Sequence, residues 1–313
     1  MGTRARVLVV GGPPGLSDRL EQRVHDLEAL WSRFVPDSEI SRLNRAGGAR
    51  LVVAPETARL VDCAISGWEA TYGLFDPTVL GDLERAGYDR SFDELPLGGR
   101  VTRPLRQPSW LVRGCSAIEA DLDAGTARLP AGVGFDPGGI GKGLTADIVA
   151  EEALAAGAAG VLVDLGGDVR VAGRPPRSDR NWVIDIEDPF GGPAFGYLEL
   201  TDGAVATSAR TRRRWSIDGE PRHHLIDPLL GMPVDSDIVA ATAVAGSGWQ
   251  AEVLAKAAFV GGPVQGLGLV DQLGGTALLV DDAGRRAAGP GWDTFGRTYD
   301  EVEQDDPAQS VSA

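Results

Sequence analysis

Lysine and histidine are scarce in this chain of 313 residues. Arginine supplies all but two of its 30 basic residues, and the two lysines are Lys142 and Lys256. The three histidines are His25, His223 and His224. Because an ammonium is a compact point charge and a guanidinium is a wide fork, a rare lysine indicates a place where the fork does not fit. The alternative is that both are ordinary surface lysines.

Cysteine and long apolar runs are also lacking. The two cysteines, Cys63 and Cys115, show no spacing typical of a metal or redox site, and a disulfide between them stays open. No stretch approaches the roughly 18 consecutive apolar residues of a membrane-spanning helix. The N-terminal segment also lacks the long apolar region of a signal peptide. We therefore expect a cytoplasmic protein without a transmembrane segment.

The chain has no excess of positive charge, since its formal net charge is -15. This balance argues against DNA, RNA or an anionic membrane as a partner, although a nucleotide phosphate can still bind at a local site. A hydrophobic content of 43% is enough to bury one large core or two modest ones. The composition is that of an ordinary globular protein.

The glycine-rich stretch FDPGGIGKGLTADIVAEEAL, residues 135–154, concentrates the chemistry. Its glycines let the backbone approach a ligand closely, and a helix predicted to begin near Leu144 points free N–H groups toward an anion. The pattern is neither a Walker P-loop nor a GxGxxG motif, because Lys142 comes two residues after Ile140 and no Ser or Thr follows it directly. It suits a phosphate or pyrophosphate. The plainer alternative is a strand-to-helix turn with a solvated lysine.

Apolar periodicity predicts helices over residues 14–34, 55–72, 145–156 and 248–260, and a short helix capped by Asp37 or Ser38. Strands are predicted over residues 4–10, 116–122, 127–129, 182–186, 196–200 and 238–244. We therefore expect an α+β fold, a single globular unit of mixed or antiparallel sheets backed by helices. Residues 281–313 read as a polar tail, largely disordered from about Asp300 because apolar residues are few there.

Seven motifs occur in order along most of the chain. They are MGT (1–3), PDSEISRLN (36–44), FDPTV (75–79), DPGGIGKG (136–143), DLGGDVR (164–170), DGAVATS (202–208) and HLIDPLLGMPV (224–234). In this order they resemble the ApbE family of FAD:protein FMN transferases. The resemblance implies a T-fold-related domain over residues 1–280 with a flavin cleft. It also implies transfer of FMN from FAD to a Thr or Ser of an acceptor protein, usually with Mg2+, and release of AMP.

The resemblance also implies roles for individual residues. His224 would occupy the catalytic histidine position and could take the acceptor proton. From their own chemistry, Asp227 could support the local turn or a metal-bound water, and Lys256 could act at the phosphate. The residues expected to contact FAD are Met1, Phe34, Gly87, Tyr88, Asp136, Lys142, Thr207, Ser208 and Ile226. Plainer interpretations exist, such as a core aromatic at Phe34 and a hydrogen-bonded strand histidine at His224.

One motif departs from the family. Family enzymes generally carry an aspartate and, four residues later, a threonine that help bind Mg2+, and here those places hold Glu252 and Lys256. On a helix this spacing predicts an ion pair of about 0.2–0.5 kcal/mol. Glu252 and the carbonyl near Gly139 would make a poor octahedral Mg2+ site, and the lysine ammonium could stand where the metal charge would be. We therefore expect weakened or absent Mg2+ dependence, or a metal held differently.

Two other functions stay open. Water could replace the acceptor hydroxyl, which would make the protein an FAD pyrophosphatase that yields FMN and AMP. The altered metal helix also fits a catalytically weak FAD-binding protein. Covalent flavin, free FMN with AMP, or unchanged FAD would distinguish the three.

Overall fold

The computed structural model describes residues 4–95, 114–177 and 181–299. The helices are α1 (Leu16–Trp31), α2 (Glu39–Arg45), α3 (Pro55–Ala70), α4 (Leu80–Arg85), α5 (Gly141–Ala155), α6 (Gly248–Gly261), α7 (Leu267–Gln272) and α8 (Trp292–Phe295). The strands are β1 (Ala5–Gly11), β2 (Leu51–Val52), β3 (Glu119–Asp121), β4 (Thr126–Arg128), β5 (Ala158–Leu165), β6 (Asp168–Gly173), β7 (Trp182–Ile186), β8 (Gly196–Leu200), β9 (Gly203–Ala209), β10 (Arg214–Ile217), β11 (Glu220–His223), β12 (Ile226–Asp227), β13 (Met232–Pro233), β14 (Ile238–Ala245), β15 (Thr276–Asp281), β16 (Arg286–Ala288) and β17 (Gly296–Thr298).

The largest sheet has seven strands in the order β1-β5-β6-β9-β14-β15-β16, and every pairing in it is antiparallel. Two three-stranded sheets, β17-β8-β7 and β2-β4-β3, and the hairpins β10-β11 and β12-β13 complete the strand pairing. The predicted α+β class, with antiparallel sheets backed by helices in a single unit, is confirmed.

Local sequence explains the helices that cover this sheet. In α1 the buried residues recur every three or four positions, so that one face of the helix is apolar. The side chain of Ser38 accepts a hydrogen bond from the backbone N–H of Ser41 at 3.0 Å, which caps α2 as predicted. In contrast, α5 and α6 are buried on nearly all sides, because they lie between the sheet and the outer helices.

Helices α5 and α6 approach each other closely at two glycines. A β-carbon placed on Gly143 would lie 2.2 Å from the carbonyl oxygen of Gly248. At the same contact, the carboxylate of Asp147 in α5 accepts hydrogen bonds from the backbone N–H groups of Gly248 at 2.7 Å and Trp249 at 3.0 Å. Asp147 therefore caps the start of α6 from a neighbouring helix, and it fixes the position of α6 against α5.

Two segments differ from the prediction. Helix α5 begins at Gly141 rather than near Leu144, because the carbonyl of Pro137 accepts from the backbone N–H of Gly141 at 2.8 Å. Residues 281–299 of the predicted polar tail contain β16, α8 and β17. Trp292 is buried against the β17-β8-β7 sheet. The boundary at residue 280 itself stays a prediction. The disorder predicted from about Asp300 lies outside the described residues.

One helical segment of the described chain, Gly248–Gln272, is long and apolar enough to cross a membrane by length and composition. It comprises α6, a π-helical turn and α7, and 56% of its apolar window is buried inside the fold. A core helix of a globular domain meets the same criterion, so this segment does not establish a membrane span.

Candidate active site

Two adjoining cavities share one wall. The smaller cavity, of about 70 Å³, lies among α1, the turn before α5 and the loop that follows α4. The larger cavity, of about 1040 Å³, opens over β5, β6, β7 and β9 and is large enough for a substrate of nucleotide size. The residues that line both cavities are Gly138, Lys142, Arg213, His224 and Lys256.

Lys142, in the first turn of α5, lies between two buried carboxylates. Its ammonium forms an ion pair with Asp168 and lies 3.0 Å from an oxygen of Glu252. Asp168 also accepts from the backbone N–H of Thr207 at 3.1 Å, and Glu252 accepts from the backbone N–H of Gly143 at 2.8 Å. The network joins α5, α6 and the main sheet, so the position of Lys142 is fixed from both sides.

The ion pair predicted between Glu252 and Lys256 does not form, because Glu252 pairs with Lys142 instead. The ammonium of Lys256 lies against the turn before α5, where a β-carbon placed on Gly139 would be 2.2 Å from its nitrogen. Burial lowers the pKa of Lys256, and the negative charges of Asp136 and Glu252 oppose that shift. Within the described ranges Lys256 forms no ion pair, since these two carboxylates pair with other cations.

His224 lies at the break between β11 and β12. Its Nδ1 is 3.3 Å from the backbone carbonyl oxygen of Arg213, which can only accept, so Nδ1 carries the proton and Nε2 has a lone pair. Burial, followed by the charges of Arg213 and Lys256, lowers the pKa of His224 well below 6.5. The imidazole is therefore neutral at neutral pH and can take a proton at Nε2.

The neighbouring histidine has a structural environment. Nε2 of His223 lies 3.1 Å from the carbonyl oxygen of Val234, and Nδ1 accepts from the backbone N–H of Leu225 at 3.3 Å. Because both of its ring nitrogens are bound to backbone, His223 holds the two hairpins together. Of this pair, only His224 lines the two cavities, and its Nε2 has no hydrogen-bond partner among the described residues.

An arginine that the sequence interpretation missed lies between two predicted flavin-contacting aromatics. The guanidinium of Arg33 is 4.2 Å from the ring centroid of Phe34 and 4.7 Å from that of Tyr88, and it pairs with Asp136 at 3.2 Å. The Phe34 side chain is 37% exposed, whereas Tyr88 is only 4% exposed because Trp215 covers it at 5.4 Å. Phe34 can therefore stack on a flat ligand, and Tyr88 is covered by protein groups.

Three predicted site residues line neither cavity. Gly87 has φ +92 and lies beneath Trp215, where a β-carbon would be 3.2 Å from the indole nitrogen. Ile226 packs in the buried cluster behind Tyr88. The carboxylate of Asp227 accepts from the backbone N–H groups of the next two non-proline residues and shapes the β12-β13 turn. These residues support the wall of the cavity from behind.

The other predicted residues are distributed around the larger cavity. Thr207 is exposed in its wall and hydrogen-bonds Thr242 at 3.0 Å, and Ser208 lies beside it, largely buried. Gly139 and Glu252 line the same cavity. Met1 lies outside the described residues.

Sequence reasoning missed Arg33, Asp168 and Arg213 as site residues. Arg213 donates to the hydroxyl of Tyr88 at 3.3 Å and lines both cavities. A signal existed for each of them: Asp168 follows the double glycine of a recognised motif, Arg33 precedes Phe34, and Arg213 belongs to an arginine cluster. No periodicity says which arginine of a cluster turns toward a cavity.

The donors near Gly139 do not fit a Mg2+ ion. In the described part of the chain no group of three or more His, Cys, Asp or Glu side chains is placed to hold a metal. Glu252 is already bound to Lys142 and to the backbone of Gly143. Lys256, one turn further along α6, cannot bind a metal when its amine is protonated. Mg2+ requires nearly octahedral oxygen coordination, which these groups do not supply.

The sequence is similar to that of known proteins over most of its length. The ApbE family profile matches residues 1–280. A Treponema pallidum protein named FAD:protein FMN transferase is 29% identical over 305 residues, which cover 89% of this chain and 82% of that protein. A Vibrio cholerae protein of the same name is 28% identical over 259 residues, covering 81% and 75%.

Solved structures agree with this match. The crystal structure of the ApbE protein from Thermotoga maritima superimposes with a TM-score of 0.82 at 27% identity, covering 95% of this chain and 96% of that one. The flavin transferase ApbE from Vibrio cholerae gives a TM-score of 0.76 at 23% identity, covering 94% and 96%. The second likeness concerns the fold alone.

Proposed function

The chain belongs to the ApbE family, and on that basis we propose that it is an FAD:protein FMN transferase. It takes FAD as a substrate and transfers the FMN part to a Thr or Ser hydroxyl of an acceptor protein. The observation that carries this proposal is the position of His224, which has an unprotonated Nε2 and lines the same cavities as Lys142 and Gly138 of the glycine turn. A base and an anion site therefore meet in one place.

The chemistry is a phosphoryl transfer. The acceptor hydroxyl oxygen attacks the FAD phosphorus nearest to the flavin, a new P–O bond forms, and the bond between that phosphorus and the AMP oxygen breaks. The hydroxyl proton goes to Nε2 of His224, and AMP leaves with the bonding electron pair. Such a reaction depends mainly on alignment and on stabilising the charge of the phosphoryl oxygens.

Positive charge surrounds the place where the phosphates would lie. Lys142, Arg213 and Lys256 supply cations, and the N-terminus of α5 adds the positive end of the helix dipole. Phe34 offers an exposed ring for the flat part of FAD. Because the donors near Gly139 do not fit Mg2+, no step of this account uses a metal.

Other assignments stay proposals of the sequence. Met1, Gly87, Thr207, Ser208 and Ile226 are proposed FAD contacts or their supports. Asp227 is proposed to position His224 through the turn that it shapes. A cytoplasmic location is likewise a proposal from composition.

The test is incubation with FAD and candidate acceptors encoded by neighbouring genes, followed by intact-protein mass spectrometry. Wild type should attach FMN to the acceptor and release AMP, and His224→Ala should lose that activity. His25→Ala is the matched control, since His25 is exposed on α1 and lines neither cavity.

Other products would point to the other functions. Free FMN and AMP without covalent flavin would indicate a pyrophosphatase, and intact FAD would indicate a binding protein. Full activity of His224→Ala would remove the role proposed for that histidine.

A further inference from the structure

Resting on the function proposed above, we propose that Lys256 is the built-in cation of the phosphate site. Its ammonium takes the place of a divalent metal, so the protein binds FAD and transfers FMN without Mg2+. Lys256 then contacts the phosphate oxygens directly and is a catalytic residue for the transfer.

The position of the ammonium is the first support. Lys256 follows Glu252 by one helical turn on α6, and its chain runs toward the backbone of Gly139 in the turn before α5. That turn carries the glycines and the helix N-terminus that suit a pyrophosphate. The amine of Lys256 therefore lies beside this turn, and Lys142 lines the same two cavities.

The pairing of charges is the second support. The nearby carboxylates are already paired, Asp136 with Arg33 at 3.2 Å and Glu252 with Lys142 at 3.0 Å. Lys256 is thus a cation at the cavity wall without an ion pair among the described residues. An unpaired, partly buried charge is unfavourable, and a phosphate oxygen is the partner that the site lacks.

Burial lowers the pKa of Lys256 in the free protein, Asp136 and Glu252 oppose that shift, and Lys142 and Arg213 add to it. A bound pyrophosphate would favour the charged form and act against that shift. The proposal predicts that FAD binding keeps the amine protonated.

Gly139 provides the space that the amine needs. A β-carbon there would lie 2.2 Å from Nζ and 2.7 Å from Cε of Lys256, so any larger residue forces the end of that side chain to move. The contact involves the flexible end of a lysine, and the fold can keep its structure when the amine moves. Gly139→Ala is therefore a way to displace the ammonium without removing it.

The experiment measures the Kd of FAD by flavin fluorescence, in EDTA and again with Mg2+, for wild type, Lys256→Met and Lys256→Thr. Wild type should bind equally well in both conditions. Lys256→Met should bind about tenfold more weakly or worse in both, because a charge-assisted hydrogen bond is lost. Lys256→Thr should be weak in EDTA and recover with Mg2+, since a hydroxyl oxygen is a ligand and an ammonium is not.

Two controls accompany these variants. Arg19→Met removes a positive charge from an exposed position of α1 that lines neither cavity, and it should bind FAD as wild type does. Gly139→Ala should weaken binding in wild type and have little further effect in the Lys256→Met background, because both changes act on one contact. Circular dichroism of each variant checks that the fold is retained.

The outcomes separate this inference from the proposed function. Wild-type binding that needs Mg2+ and is unchanged in Lys256→Met would overturn the inference, even if flavin transfer occurs. Metal-independent binding that is lost in Lys256→Met would support it, even if no acceptor becomes flavinylated, and in that case the transferase proposal would be the one to fail.

Discussion

The contact between α5 and α6 makes an unusual prediction for Gly143→Ala. Alanine is favoured over glycine within a helix by about 1 kcal/mol, so local propensity alone predicts a more stable protein. A β-carbon at this position, however, would lie 2.2 Å from the carbonyl oxygen of Gly248 and 2.7 Å from the nitrogen of Trp249. These are backbone atoms of a buried helix, which cannot rotate away.

The expected magnitude follows from these two effects. Overpacking of a core costs about 1–3 kcal/mol, and a weakened hydrogen bond from the Gly143 N–H to Glu252 adds roughly 1 kcal/mol. After subtraction of the helix gain, Gly143→Ala should lower the free energy of unfolding by about 2 kcal/mol. FAD affinity should also fall, because α6 carries Glu252 and Lys256 away from α5.

Urea unfolding followed by circular dichroism measures this change. Gly268→Ala is the matched control, because Gly268 is exposed in α7 and a β-carbon there meets nothing within 4 Å. The control should be as stable as wild type or more stable by up to about 1 kcal/mol. A Gly143→Ala protein as stable as this control would refute the close packing of the two helices.

Three further predictions concern the site and its support. Since the pKa of His224 is well below 6.5, the rate of FMN transfer should stay constant as pH falls to about 6.5 and decline only below it. Lys256→Met removes a charge that lowers this pKa, so the decline should move to higher pH. A wild-type decline centred above pH 6.5 would contradict this. The lowered pKa of His224 also affects stability. Just below pH 6.5 this histidine is protonated in the unfolded chain and neutral in the folded protein, so the stability that it contributes is present above pH 6.5 and is lost as the pH falls below it. Asp147→Ala should destabilise the fold by about 2–4 kcal/mol in urea unfolding, because two backbone N–H groups of α6 lose their acceptor. Arg170 loses one of its two carboxylate partners and keeps Asp202. A change under about 1 kcal/mol would count against this cap. Tyr88→Phe should lower the free energy of unfolding by about 1 kcal/mol, because Arg213 loses the hydroxyl group to which it donates. The affinity for FAD should change little, because the ring of Tyr88 is buried.

Local signals predicted much of the fold. Alternation of apolar and polar residues predicts the strands Trp182–Ile186 and Gly196–Leu200. Capping chemistry predicts the start of α2 at Ser38. Both signals depend on neighbouring residues alone. The sequence predicts too late a start for α5, because glycines have weak helix propensity and tertiary packing against α6 outweighs that propensity. The polarity of the segment after residue 280 predicts a tail, yet the buried side chain of Trp292 packs part of this segment against the fold.

The candidate site shows the same division. Asp136, Lys142 and His224 belong to the ordered motifs, Phe34 is implied by the family resemblance, and Lys256 stands on the helix that departs from the family. All five line the smaller cavity. The partners of these residues were not predictable, because they come from distant parts of the chain. The pairing of Glu252 is the clearest case: helix spacing favours a neighbour four residues away, and the folded chain brings a cation from α5 instead.

The most direct test of the central claim is the stoichiometry of the reaction. With FAD in excess and a candidate acceptor present, covalent FMN on the acceptor and released AMP are measured together over time. Transfer through His224 predicts one AMP for each covalent FMN, and it predicts neither product in His224→Ala. AMP accompanied by an equal amount of free FMN, with no flavin on the acceptor, would contradict the transferase account.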